Sequence, residues 1–224
     1  MIRSFSFGNL PPRPRCGSLG EPHLSAQYFR VDYLEHLSYW PKVGDPIGIE
    51  LNCRYAADEL SGDLTADLLY ASHMRSEDLV QLVLKRGADP NARTRYGGSI
   101  LVDAAFSGPD QYEIVKLLLD AGAEINQTSA SGWTALMAVI WRGTARTTNL
   151  LLQRGADINM RSQDGRTALI LAVSRGNTSA VKRLLQLGAD ANVIDGYGKT
   201  ALMIAEEVGK HGLVCLLEGA GAQQ

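Results

Sequence analysis

Short blocks of apolar residues at helical spacing, separated by glycine, dominate the pattern of this chain. In residues 164–192, two such stripes lie on either side of Gly176-Asn177. The first stripe follows Thr167, which predicts a helix N-cap, and the second ends before Gly188, which tolerates the left-handed backbone of a helix end. The apolar positions are Leu169, Ala172 and Val173 in the first stripe and Val181, Leu184 and Leu185 in the second. Two helices this short cannot bury both apolar faces against each other, so the unit must stack on copies of itself.

Two motifs recur in register with these helices. The pattern Gly-Ala-acid-x-Asn begins at residues 87, 122, 155 and 188, at intervals of 35, 33 and 33. The helix-start pattern Ser/Thr-x-Leu begins at residues 99, 134, 167 and 200, in step with it. A period of about 33 residues that contains a turn and two helices resembles the ankyrin repeat. Because the acid recurs in the turn of every repeat, we attribute it to local hydrogen bonding rather than to catalysis.

The resemblance implies an all-α fold, an ankyrin-repeat solenoid of stacked helix-turn-helix units with β-hairpin-like loops. We place the ankyrin-repeat domain at residues 61–224, with repeats at about 61–93, 94–128, 129–161, 162–194 and 195–222. The first repeat lacks its hairpin and keeps both helices. The last repeat carries Glu206, Glu207 and Glu218, which make its exposed side polar, as a solenoid end needs for solubility.

The residues before the repeats have a different composition. Residues 1–20 combine Arg, Ser and Pro with no acid, so we predict a disordered N-terminal tail over 1–23, with an organelle transit peptide or a proline-rich ligand as alternatives. Residues 24–40 carry apolar side chains at steps of three and four and predict an amphipathic helix that ends at Pro41. We expect the segment 24–60 to cap the open end of the first repeat, and a partner-binding helix is the alternative.

The second helix of the third repeat departs from the pattern. Thr147 and Thr148 occupy the places that Ile114 and Val115 hold in the second repeat. Thr is a poor helix former and buries less apolar area than Ile or Val. We therefore predict a soft spot over 146–152 that opens before the flanking repeats.

Composition and motifs argue against several classes of function. A net charge of −2 gives no basic footprint for nucleic acid, and no apolar run approaches the ~20 residues that span a bilayer. The three cysteines and four histidines are scattered without metal-ligand spacing, and neither GxxxxGK[ST] nor GxGxxG occurs in a suitable context. We expect no enzymatic activity, no cofactor, no metal and no membrane association.

The resemblance also implies where a partner binds. Ankyrin-repeat proteins bind other proteins on a concave side formed by hairpin tips and by the exposed faces of the first helices. The matching positions here carry aromatic and basic side chains, which are the types that dominate interface hot spots. These candidate partner-binding residues are Arg95, Tyr96, Phe106, Trp133, Trp141, Arg142, Arg166, Arg175, Tyr197 and Lys199. A structural alternative stays open, in which Trp133 and Trp141 pack on neighbouring hairpins.

The charge of this row predicts the chemistry of the partner. Basic side chains outnumber the acids Asp164 and Glu207, which favours a protein partner with an acidic segment and an apolar anchor. The predicted function is an adaptor or scaffold that is monomeric on its own. Nucleic-acid binding along the same Arg-rich, aromatic row is the alternative, which the net charge disfavours. We expect a cytoplasmic location, with the nucleus or, through residues 1–20, an organelle as alternatives.

Overall fold

The computed structural model describes residues 63–94, 97–108 and 111–222, and these residues form ten α-helices arranged in pairs. The predicted tail 1–23 and the segment 24–60 lie outside the described residues. The five pairs are α1 (Leu64–His73) and α2 (Glu77–Lys85), α3 (Ile100–Phe106) and α4 (Tyr112–Asp120), α5 (Ala135–Arg142) and α6 (Ala145–Gln153), α7 (Ala168–Ser174) and α8 (Thr178–Gln186), and α9 (Ala201–Glu207) and α10 (His211–Gly219). The predicted all-α solenoid of stacked units is confirmed.

Side-chain caps set where the first helices begin. The hydroxyls of Thr134, Thr167 and Thr200 accept hydrogen bonds from the backbone N–H three residues on, at 3.3, 3.4 and 3.3 Å. The Thr167 N-cap predicted from the sequence is therefore confirmed, and it recurs in two further repeats. Ser99, at the same place in the second repeat, is buried and makes no such cap.

The helices form two layers along the solenoid. The first helices α1, α3, α5, α7 and α9 pack in sequence against one another, and each also packs on the second helix of its own pair. Leucines at repeat-equivalent places fill the space between the layers, and all of them are at most 1% exposed: Leu101, Leu136 and Leu169 in the first helices and Leu118, Leu151 and Leu184 in the second. The stacking predicted for helices too short to fold alone is what buries them.

The Gly-Ala-acid-x-Asn motif links each repeat to the next. Within the motif, the Asp157 carboxylate accepts from Asn159 N at 2.8 Å, which confirms the local role of the acid. Asp89 and Asp190 do the same for their own asparagines. The asparagine side chain then reaches forward: Asn159 Oδ1 accepts from Asp190 N at 3.0 Å, in the following repeat. Asn91 and Asn126 make the equivalent bonds at 2.6 and 2.9 Å, so a hydrogen-bonded ladder runs along the stack.

The loops before the first helices form a second, tightly spaced row. Each described hairpin is narrow, with isolated antiparallel bridges at Arg93–Ser99 and Thr128–Thr134. Neighbouring hairpins bond directly, Gln163 N to Ser131 O at 3.0 Å and Gly196 N to Asp164 O at 2.8 Å. A Cβ added to Gly132 would lie 2.8 Å from Gln163 N, so glycine is what permits this approach. The hairpin tips of the third, fourth and last repeats are therefore joined along one edge.

Candidate partner-binding surface

Eight of the ten candidate residues lie in the described part of the chain, and Arg95 and Tyr96 lie outside it. Trp133, Arg166, Tyr197 and Lys199 are in the hairpins. Phe106, Trp141 and Arg142 are in the last turn of a first helix, and Arg175 is the residue that caps α7. The repeat geometry thus brings the two groups to one side of the solenoid, where hairpin tips meet the ends of the first helices.

Three of these side chains form an aromatic cluster, which we define as Phe106, Trp133 and Trp141. The Phe106 and Trp133 ring centroids are 5.4 Å apart at an interplanar angle of 49°. The Trp133 and Trp141 centroids are 5.9 Å apart at 83°, an edge-to-face contact. Both tryptophans are half-buried against the core, and Phe106 is 37% exposed. Part of each ring therefore packs on its neighbours, while the rest faces outward.

Two arginines lie next to Trp141, Arg175 in space and Arg142 in sequence. The Arg175 guanidinium lies 4.7 Å from the Trp141 ring centroid, a cation–π contact. Arg142 follows Trp141 directly and is exposed. Both sit at helix C-termini, where a cation is favourable. Among the described residues, neither makes a salt bridge.

Arg166 is held inside the protein's own charge network. Its Nε lies 3.2 Å from Asp164 Oδ2 and 3.8 Å from Asp195 Oδ2, without forming a hydrogen bond to either oxygen. Its guanidinium also lies 5.4 Å from the Tyr197 ring centroid. Tyr197 itself is 69% exposed. The positive charge of Arg166 is therefore attracted to carboxylates in the loops of its own repeat and of the next.

Lys199 is likewise engaged. Its Nζ lies 2.6 Å from both carboxylate oxygens of Glu207, in the last turn of α9. Lys199 therefore adds no net positive charge to its part of the surface.

Sequence reasoning missed Asp195, which shapes this end of the surface. The side chain is buried and its Oδ1 accepts from Tyr197 N at 2.9 Å and Lys199 N at 3.0 Å. Its place in the repeat could have revealed it, because Ser129 and Ser162 stand at the same distance before Thr134 and Thr167. Those serines also accept from the backbone N–H four residues on, so an oxygen side chain here closes the hairpin.

Asp103 is a second residue that the sequence analysis did not single out. It lies on α3, where the equivalent residues of the next repeats are the buried Ala138, Leu171 and Ile204. Burial raises the pKa of the Asp103 carboxyl from 3.8 to about 6. A lone acid within an apolar stripe was the signal in the sequence.

The described residues hold little that suggests other chemistry. They contain no group of three or more His, Cys, Asp or Glu side chains that could hold a metal ion. Within the described ranges, no helix is long and apolar enough to cross a bilayer.

Comparison with known proteins places the chain in a family. The profile for ankyrin repeats in three copies matches residues 51–129, 68–162 and 136–223. Ankyrin repeat and SOCS box protein 6 of Mus musculus is 36% identical over 70 residues, which are 31% of this chain and 17% of that protein. An ankyrin repeat protein of Rickettsia felis is 31% identical over 73 residues, 31% of this chain and 32% of that protein. The match thus spans less than a third of the length of these relatives. Because the profile covers most of the sequence, the chain belongs to the ankyrin-repeat proteins, whose repeats are generally protein–protein interaction modules and typically non-enzymatic.

Proposed function

We propose that this chain is a non-enzymatic adaptor that binds a segment of a partner protein on its concave surface. The observation that carries the proposal is the aromatic cluster beside two arginines that lack an acidic partner among the described residues. Fully buried leucines fill the solenoid core, and the two tryptophans pack only in part against it. Partly exposed aromatic rings beside arginine are typical of interface hot spots.

The same features favour a partner segment that is acidic and carries an apolar anchor. The aromatic cluster offers ring surface to an apolar side chain, while Arg142 and Arg175 attract carboxylates. Nucleic acid is the weaker candidate, because Arg166 lies beside two carboxylates and Lys199 is paired with Glu207. A phosphate backbone needs a row of available cations, and these interactions leave few.

The test compares the wild-type chain with a Trp133→Ala, Trp141→Ala double variant in affinity capture from cell lysate. Leu187→Ala is the matched control, since Leu187 is an exposed apolar residue just after α8, away from the hairpin tips. All proteins are first matched by circular dichroism and thermal melting. Any captured protein is then purified and titrated against each of them.

We expect a partner that binds the wild type and the control directly and loses affinity for the tryptophan variant. Equal direct binding by all three proteins would contradict the proposal. Salt-sensitive binding of an oligonucleotide, with no protein bound, would support the nucleic-acid alternative instead.

A further inference from the structure

The cations of the candidate surface differ in whether they lie beside a carboxylate of the protein itself. Arg166 and Lys199 lie within 4 Å of carboxylates of the protein itself. Arg142 and Arg175 make no such pair within the described ranges. Arg175 contacts Trp141 and Arg142 follows Trp141 in the sequence, so the aromatic cluster and these two cations lie in neighbouring repeats.

We propose that the surface recognises an acidic peptide segment in two adjacent parts. The apolar anchor of the partner contacts the aromatic cluster in the second and third repeats. Two of its carboxylates pair with Arg142 and Arg175 in the third and fourth repeats. This inference rests on the proposed function and specifies its partner.

Arg142 and Arg175 can attract a partner carboxylate more strongly than Arg166 or Lys199 can. To bind a partner carboxylate, Arg166 would have to share its charge with Asp164 and with the buried Asp195. Lys199 would have to break its ion pair with Glu207, in which its Nζ contacts both carboxylate oxygens. Arg142 and Arg175 form no ion pair among the described residues, so they supply the net attraction for a partner carboxylate.

The Arg175 guanidinium contacts the Trp141 ring through a cation–π interaction, which uses none of its N–H groups to bind an oxygen. Its N–H groups project in the guanidinium plane, where they can bind a carboxylate with two parallel hydrogen bonds. The contact at 4.7 Å with Trp141 therefore positions Arg175 between the aromatic cluster and the cationic part of the surface.

The repeat geometry fixes the spacing of the two carboxylates. Arg142 and Arg175 are 33 residues apart and occupy equivalent places at the ends of α5 and α7, which pack side by side. Packed helices are about 8–10 Å apart. An extended partner advances ~3.3 Å per residue, so its two carboxylates are about three residues apart. A helical partner would place them about five to seven residues apart, since it rises ~1.5 Å per residue.

The experiment uses a display library of random 16-residue peptides, selected on the full chain. Selected peptides are synthesised and titrated against the wild type, an Arg142→Gln, Arg175→Gln variant and the tryptophan double variant. Lys182→Gln, Arg183→Gln is the matched control, because it removes two exposed cations from α8 on another part of the solenoid. Circular dichroism verifies that every variant is folded.

We expect selected peptides with an apolar anchor and two acids at one of these spacings. Their affinity should fall about tenfold or more for the Arg142→Gln, Arg175→Gln variant and stay within about twofold for the control. Replacing the two peptide acids with Gln should give the same loss with the wild type and little further loss with the arginine variant.

The outcomes separate this inference from the proposed function. Peptides that need the tryptophans but bind the arginine variant as tightly as the wild type would overturn the two-part recognition alone. Peptides that bind all variants equally, or no peptide binding at all, would overturn both. An equal loss for the arginine variant and the Lys182, Arg183 control would show general charge attraction and would overturn the assignment to Arg142 and Arg175.

Discussion

The second helix of the third repeat offers a sharp test of how this stack is stabilised, through the substitution Thr148→Val. Thr148 is 6% exposed and stands where the second and fourth repeats carry the buried Val115 and Val181. Its Oγ1 donates to Thr144 O at 2.8 Å, and that carbonyl also accepts from Thr148 N at 3.0 Å. The substitution therefore removes a hydroxyl without leaving the carbonyl unpaired.

The expected gain in the free energy of unfolding is about 1 kcal/mol. Val and Thr have nearly the same shape and helix propensity, so the exchange changes mainly what is buried. An added buried methyl group contributes roughly 0.8 kcal/mol, and the lost hydrogen bond is offset by removing a polar group from the interior. The reverse changes Val115→Thr and Val181→Thr should each cost about 1–2 kcal/mol, because they bury a hydroxyl in place of a methyl.

Other features of α6 also lower its stability. Its N-cap residue Thr144 makes no side-chain cap, and its first turn has no acid and contains Arg146, whose charge opposes the helix dipole. The Arg146 guanidinium bonds Glu113 Oε1 at 3.1 Å, an exposed pair that contributes little. The packing of α6 against α8 is also the loosest among neighbouring second helices. Opening of this helix before its neighbours is therefore expected.

The assay is hydrogen exchange under native conditions, read by mass spectrometry, together with urea melts. In the wild type, amides of 146–152 should exchange before those in the middle of α4 and α8. Thr148→Val should slow that exchange about fivefold, the factor that corresponds to 1 kcal/mol. Slowest exchange across 146–152 in the wild type, or a destabilised Thr148→Val variant, would refute this reasoning.

Three further predictions concern the ladder, one strained residue and one buried acid. Asn159→Ala should cost about 1 kcal/mol in urea melts, because Asp190 N loses its acceptor in the neighbouring repeat. Arg75 has φ 57°, a left-handed backbone that is strained for a residue with a side chain, and Gly143 has φ 79° at the equivalent place of the third repeat. Arg75→Gly should therefore stabilise the chain by about 1 kcal/mol. A lower melting temperature for this variant would contradict the prediction. Asp103 binds its proton more tightly in the folded state, since its pKa rises from 3.8 to about 6, so wild-type stability should fall as pH rises from about 4 through 6. Asp103→Asn should remove that fall, worth about 1–2 kcal/mol after screening, and urea melts at pH 4.5 and 7.5 should show it.

The sequence predicted the features of the fold that depend on local chemistry. Thr167 caps a helix and Gly188 ends one at φ 87°, because capping and left-handed backbone are decided within a few residues. The stacking followed from the repeat period and from helices too short to fold alone. The placing of the candidate surface followed from the family resemblance rather than from any local signal.

The sequence did not reveal the ladder of asparagines or the pairing of charges on the surface. Asn159 meets Asp190 N only because the stack brings one repeat against the next. Asp195 approaches Arg166 for the same reason, across two neighbouring hairpins. Counting charged residues along the row therefore overstated the charge available to a partner at Arg166 and Lys199, which lie beside carboxylates of the protein itself.

One geometric relation explains how this surface changes along the solenoid. In the third and last repeats, the hairpin residue before the helix N-cap contacts the residue eight positions later, at the end of that first helix. In the third repeat this relation joins Trp133 to Trp141, and in the last it joins Lys199 to Glu207.

The second repeat lacks a side chain at the first of these two positions, because residue 98 is glycine. Phe106 packs instead on Trp133 of the next repeat, which extends the aromatic cluster towards the first repeat. In the last repeat the same two places form an ion pair, which keeps the end of the solenoid polar. The two positions thus carry one aromatic side chain in the second repeat, two in the third and an ion pair in the last, so this part of the surface changes from apolar to charge-neutralised along the solenoid.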